Sequence, residues 1–123
     1  MSEAPHPPPY DADQALALAY GKPEIRDRVL AGVLAFLAPD GDVAQLLNGQ
    51  HFHTDPAARS ELAHRGLGLV RQAGMLELAQ LFRELTDALD ARRLADAERI
   101  GRALPEALQR ARAAVAAQET GRR

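Results

Sequence analysis

The chain has no cysteine and no tryptophan, and only three phenylalanines and two tyrosines among 123 residues. Without cysteine there is no disulfide, no thiolate metal site and no cysteine nucleophile, and nothing calls for an oxidising compartment. So few aromatic rings leave few platforms on which nucleic-acid bases could stack. A large excess of charge of one sign is also missing. The formal net charge of −2 gives no general pull toward nucleic acid or anionic lipid. The longest apolar run, "VLAGVLAFLA" (Val29 to Ala38), is about half of what a membrane span needs. The N-terminus "MSEAPHPPPY" has no basic segment leading into an apolar stretch, so it does not read as a signal peptide. These absences predict a cytoplasmic protein or domain without membrane contact and without a nucleic-acid partner. What is abundant is Leu, Ala, Val and Ile, enough in a chain of this length for one domain with its own core.

Residues 1–9 read as a Pro-rich disordered or extended tail. Structure is expected from "YDADQALALAYG", where Asp11 is placed as N-cap with Gln14 three residues on, and Gly21 closes a short helix as its C′ residue. "KPEIRDRVLAGVLAFLAPDG" opens with Pro23 in a first turn, keeps helical apolar spacing, and stops at "APDG". "DVAQLLNG" reads as one or two further turns and "GQHFHTD" as a loop. The next helix begins at Thr54 or Asp55 with Pro56 in its first turn, and runs to Ala73 before Gly74. "MLELAQLFRELTDALDA" follows, with apolar residues at 75, 78, 81, 82, 85 and 89. A last helix spans about 93–117, where Pro105 should introduce a kink. Residues 118–123 read as a frayed tail. No segment alternates with period two. The expected fold class is all-α: an antiparallel four-helix bundle over residues 10–117, with a short additional N-terminal helix across one end.

One helix poses a puzzle. "SELAHRGLGLVRQAG" (Ser60 to Gly74) accepts Gly66 and Gly68 in mid-run, each costing about 0.5–1 kcal/mol relative to Ala. At about 100° per residue, Leu62, Gly66, Leu69, Val70 and Ala73 share a core face, and His64 falls roughly opposite. Ser60, Leu67, Gly68 and Arg71 join His64 on the outer face. Gly66 then serves close helix packing. Gly68, at i+4, removes a side chain from beside the imidazole and opens an approach to it. Leu67 puts an apolar side chain on a polar face, as an interaction patch would, and Arg71 places positive charge within reach of an anion at the ring. An exposed neutral imidazole is a competent nucleophile near pH 7. Toward an acyl phosphate it needs only in-line placement and charge neutralisation, and a partner's metal ion can supply the latter.

With these residues in place, the chain resembles a histidine-phosphotransfer (HPt) domain. The family pattern A-H-x-L-K-G, with a second Gly ten residues after the His and then a Leu-rich helix, is similar to "AHRGLGLVRQAG": Ala63, His64, Gly68 and Gly74 are kept, and "LELAQLFRELTDAL" follows. "YDADQALALAYGKPEIRDRVLAGVLAFL" is similar to the front end of the C-terminal HPt domains of tripartite hybrid sensor kinases of the Bar/Gac type. The resemblance covers about residues 10–117. It implies a monomeric phosphorelay intermediate in which His64 takes a phosphoryl group from a receiver-domain aspartate and passes it to another receiver. Ser60, Arg65, Leu67, Gly68 and Arg71 would support the transfer or dock the receiver. It implies no kinase activity, no ATP binding and no cofactor on this chain, with Mg²⁺ on the receiver. The partners would be response-regulator receiver domains, with a hybrid sensor kinase as a further candidate. The chain departs from the pattern at Leu67, where the family commonly has Lys, at Gly66 in place of Leu, and at Leu69 in place of a small residue. Arg71 or Arg65 would have to supply the charge missing at Leu67.

Other features are weaker. His51, His53 and Asp55 form an H-x-H cluster without the further ligands that a structural metal site needs, and read as ordinary loop. His6 in the Pro-rich tail reads as inert. A Ser–His–Asp hydrolase built on Ser60 and His64 lacks a nucleophile elbow and an oxyanion hole. Arg92 and Arg93 read as a helix-start surface patch. "ARRLADAERIGR" interleaves Arg with acids and reads as a solvated helix face. The alternative to a relay is a helical adaptor that binds receivers or other signalling domains without chemistry.

Overall fold

The computed structural model describes residues 7–38 and 56–120. Among them are five α-helices and no strand: α1 (Ala12–Leu18), α2 (Pro23–Phe36), α3 (Pro56–Gln72), α4 (Leu76–Asp90) and α5 (Leu94–Thr120). The all-α expectation holds. The turns at "DVAQLLNG", the "GQHFHTD" loop with His51, His53 and Asp55, the Thr54/Asp55 cap, and His6 lie outside the described residues.

The helices begin where local chemistry says they should. The Asp11 carboxylate accepts from the Gln14 backbone N–H at 3.0 Å, satisfying one of the orphan donors of α1. Pro23 stands in the first turn of α2, where its missing N–H is no loss. Helix α4 has no side-chain cap. Its Glu77 N–H is instead satisfied by the carbonyl of Pro8, at 3.0 Å. The last residues of the stretch read as a tail are thus held against the start of α4, and Tyr10 is buried.

Three helices end alike. After the C-caps Ala19, Ala73 and Ala91, the next residue turns left-handed: Tyr20 at φ 58°, Gly74 at φ 72° and Arg92 at φ 62°. In each turn the following N–H reaches back five residues: Gly21 to Leu16, Met75 to Val70, and Arg93 to Ala88. This is the Schellman arrangement. Tyr20 therefore occupies the C′ position expected for Gly21, which follows at φ 74°. Only the middle turn demands glycine. A Cβ on Gly74 would lie 2.8 Å from the Asp11 carbonyl and 3.0 Å from Ala15 Cβ. Tyr20 and Arg92 are exposed and meet no such obstacle.

Neighbouring helices pair in chain order, most extensively α3 with α4 and α4 with α5. The largest fully buried side chains are Phe82, Met75, Leu78, Leu85, Leu89, Val33 and Val70. Most of them come from α4 or the turn before it, so that helix lies at the centre of the core. Gly66 faces it: a Cβ there would overlap the Phe82 ring. Helix α5 packs through Ala97, Ile100, Leu104, Ala107, Leu108, Ala111 and Val115. It runs through Pro105 as one element, with the proline on the exposed side, and extends three residues beyond the expected 117. A forked ion pair, Arg110 Nε to Glu77 Oε1 at 3.0 Å and Nη2 to Oε2 at 2.8 Å, ties it to the first turn of α4. The fork holds the Arg110 guanidinium above its usual pKa. Along the outer face of α5, Arg93 and Arg99 pair with Asp96, and Arg102 with Glu98, giving the solvated surface expected of that segment.

No helix among the described residues is long and apolar enough to cross a membrane.

Candidate functional site

Helix α3 buries Arg59, Ala63, Gly66, Val70 and Ala73. The buried stripe is centred about 40° further round than the sequence pattern suggests. Leu62 and Leu69 are half-buried at its edge, and Arg59 and Ala63 take the inner places. His64 remains on the outside, with its side chain 56% exposed.

His64 is not alone there. Side chains on a helix lean toward its N-terminus, which directs position 64 toward position 60 and the neighbouring helix end. Because α3 and α4 run antiparallel, that end is the C-terminus of α4, closed by Asp90. The Asp90 carboxylate takes both neighbours: Oδ2 lies 3.0 Å from His64 Nε2, and Oδ1 accepts from the Ser60 hydroxyl. The Ser60 and His64 hydrogen bonds, in that order, hold the Asp90 carboxyl below its ordinary pKa of 3.8. An ionised carboxylate can only accept, so neutral His64 carries its proton on Nε2 and its free lone pair on Nδ1.

Gly68 does not stand beside the ring. Apart from its chain neighbours Leu67 and Leu69, no side chain, His64 included, comes within 4 Å of where its Cβ would be. Gly68 opens a different space: a groove of about 750 Å³ between α1, α3 and α4. Leu67, Gly68 and Arg71 form one wall, Leu76 and Arg83 belong to the opposite one, and Leu18 of α1 stands at an end. Glu84 and Asp87 share the wall with Arg83, so the rim carries both signs of charge. Leu67 is half-buried and packs against the core, so it is part of the groove's apolar floor and not a free surface residue. Leu18 is 44% exposed, which continues the apolar character outward.

The expected site residues therefore divide. Ser60 and His64 meet at Asp90. Leu67, Gly68 and Arg71 line the adjoining groove. Arg65 is exposed on α3 and lines neither. Sequence reasoning missed Asp90 and Arg83. Both lie on α4, and their roles follow from how two helices are rotated against each other. Arg71 and Arg83 make no side-chain ion pair among the described residues, which leaves two guanidiniums open to an anion beside the groove.

Two further arginines are buried, Arg26 and Arg59. Arg26 pairs with Asp27 at 2.9 Å, and its Nη1 has no partner. Among the described residues, no group of three His, Cys, Asp or Glu side chains is placed to hold a metal ion.

Comparison with family models, with curated proteins and with solved structures returns no significant match.

Proposed function

We propose that this chain is a phosphorelay intermediate of the HPt kind: a four-helix arrangement on which His64 accepts a phosphoryl group from the aspartate of a receiver domain and passes it to another. The observation that carries the reading is His64 itself. It is an exposed imidazole in the middle of a long helix, hydrogen-bonded to Asp90, which Ser60 holds in turn, beside an open groove with unpaired guanidiniums. Exposure admits a large partner carrying the acyl phosphate. The rigid α3–α4 pair keeps the ring in one place, which favours in-line attack. The groove's apolar floor and mixed-charge rim suit a partner's helix. Arg71 and Arg83 offer the positive charge that Leu67 does not. The Mg²⁺ that such transfer uses would come with the receiver.

The test is direct. A phosphorylated receiver is mixed with wild type and with His64→Gln, and acid-labile, base-stable phosphate is followed on this chain. Wild type should become labelled and His64→Gln should not. If no receiver of the same genome labels the wild type, the relay reading is wrong.

A second reading, a docking module without chemistry, is supported by Leu67, which is committed to the groove floor where the resembling family has a basic residue. Receiver binding that survives His64→Gln, with no label on either protein, would favour it.

A further inference from the structure

We infer that the groove between α1, α3 and α4 seats one amphipathic helix of the receiver in a single direction, with an acidic side chain against Arg71 and Arg83 and a basic one against Glu84 and Asp87. The inference rests on the relay reading above and names how that partner is held.

The charge on the groove's rim changes sign along its length. Gly66 meets Phe82, and the Ser60 hydroxyl meets Asp90. Counting in from the Gly74 turn therefore puts Arg71 level with about Ala79, one turn short of Arg83. Glu84 and Asp87 follow on the Arg83 wall, in the direction of Asp90 and His64. The rim is thus positive at the Gly74 end and negative toward the imidazole, and the change takes about one helical turn. All four side chains are exposed, and none makes a hydrogen bond or ion pair among the described residues. On α5 the same close spacing does produce pairs, Arg93 and Arg99 with Asp96 and Arg102 with Glu98. Arg83 and Asp87 also stand four apart on one helix and line one groove, yet stay unpaired. Their charges are therefore open to a partner that brings the opposite signs in matching order. An acid and a base three or four residues apart on one helix face do so. Leu67, Leu76 and Leu18 supply the apolar surface on which that helix's own stripe rests. Turning the same helix end for end would set acid against acid and base against base, so it fits one way only.

Arg83 and Asp87 are exposed and unpaired, so exchanging their charges should leave the fold intact. The receiver that labels the wild type is used unphosphorylated, so that binding is read without transfer. Surface plasmon resonance follows its association with wild type, Arg83→Glu, Asp87→Lys and the double exchange Arg83→Glu/Asp87→Lys, at low and at high salt. Circular dichroism checks folding. Each single exchange should slow association by about tenfold at low salt, and by less at high salt. The double exchange keeps the net charge but inverts its order, and should bind more weakly than either single variant. Arg83→Gln and Asp87→Asn remove charge without reversing it. They should show the same effect in smaller measure, and they decide the matter should a reversal fail to fold. A double exchange that regains wild-type binding overturns the inference, because net charge alone would then be enough. Single variants that bind as the wild type does also overturn it, and both results leave the relay standing. A wild type that takes no label from any receiver overturns the relay, and this inference with it.

Discussion

At the scale of single residues, His64 was legible and its partner was not. Exposure follows from counting 100° steps along one helix, and an error of about 40° does not bring position 64 inside. The error has a cause. Pattern reading assigns the core to leucines, whereas here Leu62 and Leu69 rest at the edge and the smaller Ala63 takes the inner place. Asp90 lies 26 positions from His64, and its role depends on how α4 is turned against α3. The antiparallel turn at Gly74 is readable, and it brings the start of one helix beside the end of the next. Which acid then faces the histidine is settled only by packing. Asp90 also sets a pH dependence. Its carboxyl titrates lower in the folded protein than in the unfolded chain, so the unfolded state binds more protons as acid is added. The stabilisation is present above the ordinary carboxylate pKa and is lost as pH falls through the lowered value. Urea midpoints of wild type and Asp90→Asn should therefore differ near neutral pH, and should converge as pH falls below the ordinary carboxylate pKa and through the lowered one. A gap that persists unchanged once the carboxyl is protonated would contradict the assigned Asp90 hydrogen bonds.

At the scale of elements, boundaries followed from caps and stops, and the conformation of the stops did not. Asp11, Pro23, Pro56 and Gly74 stand at helix ends as their chemistry predicts. Reading Gly21 as C′ fails because a left-handed residue is needed one position earlier, and the sequence has Tyr20 there. Tyrosine and arginine at such positions carry a conformational cost of about 1–2 kcal/mol. Glycine would relieve it at both sites, since neither side chain packs in the core. Tyr20→Gly and Arg92→Gly should each raise stability by about 0.5–1 kcal/mol, read as a higher urea midpoint at constant slope. Gly74→Ala should do the reverse and by more, because the new Cβ meets the Asp11 carbonyl and Ala15 as well as the strained φ. Equal effects at all three turns would mean that the close approach at Gly74 plays no part.

At the scale of the molecule, the all-helical architecture was legible because every segment keeps helical spacing and none alternates. The groove was less so, since it takes residues from three helices. Gly66 joins the two scales. Its missing side chain lets α3 settle onto the Phe82 ring at the middle of the core. Gly66→Ala should therefore destabilise by about 1–3 kcal/mol despite the better helix propensity of alanine, whereas Gly68→Ala, with open space around it, should not. Thermal melts of the pair distinguish packing from propensity; two stabilised variants would show that Phe82 moves aside freely. The turn at Gly74 has a wider consequence. Its carbonyl holds the Asp11 N–H at 2.8 Å, and three residues further on the Glu77 N–H donates to the Pro8 carbonyl. The segment from Pro8 to Asp11 is thus a clasp whose two bonds fasten α1 at the end of the groove away from His64. A force or a fusion applied ahead of Tyr10 acts through that clasp on α1, whose Leu18 lines the groove. The imidazole is held at a different helix end, by Asp90. One end of the groove and the imidazole are thus fastened by different contacts of one small fold.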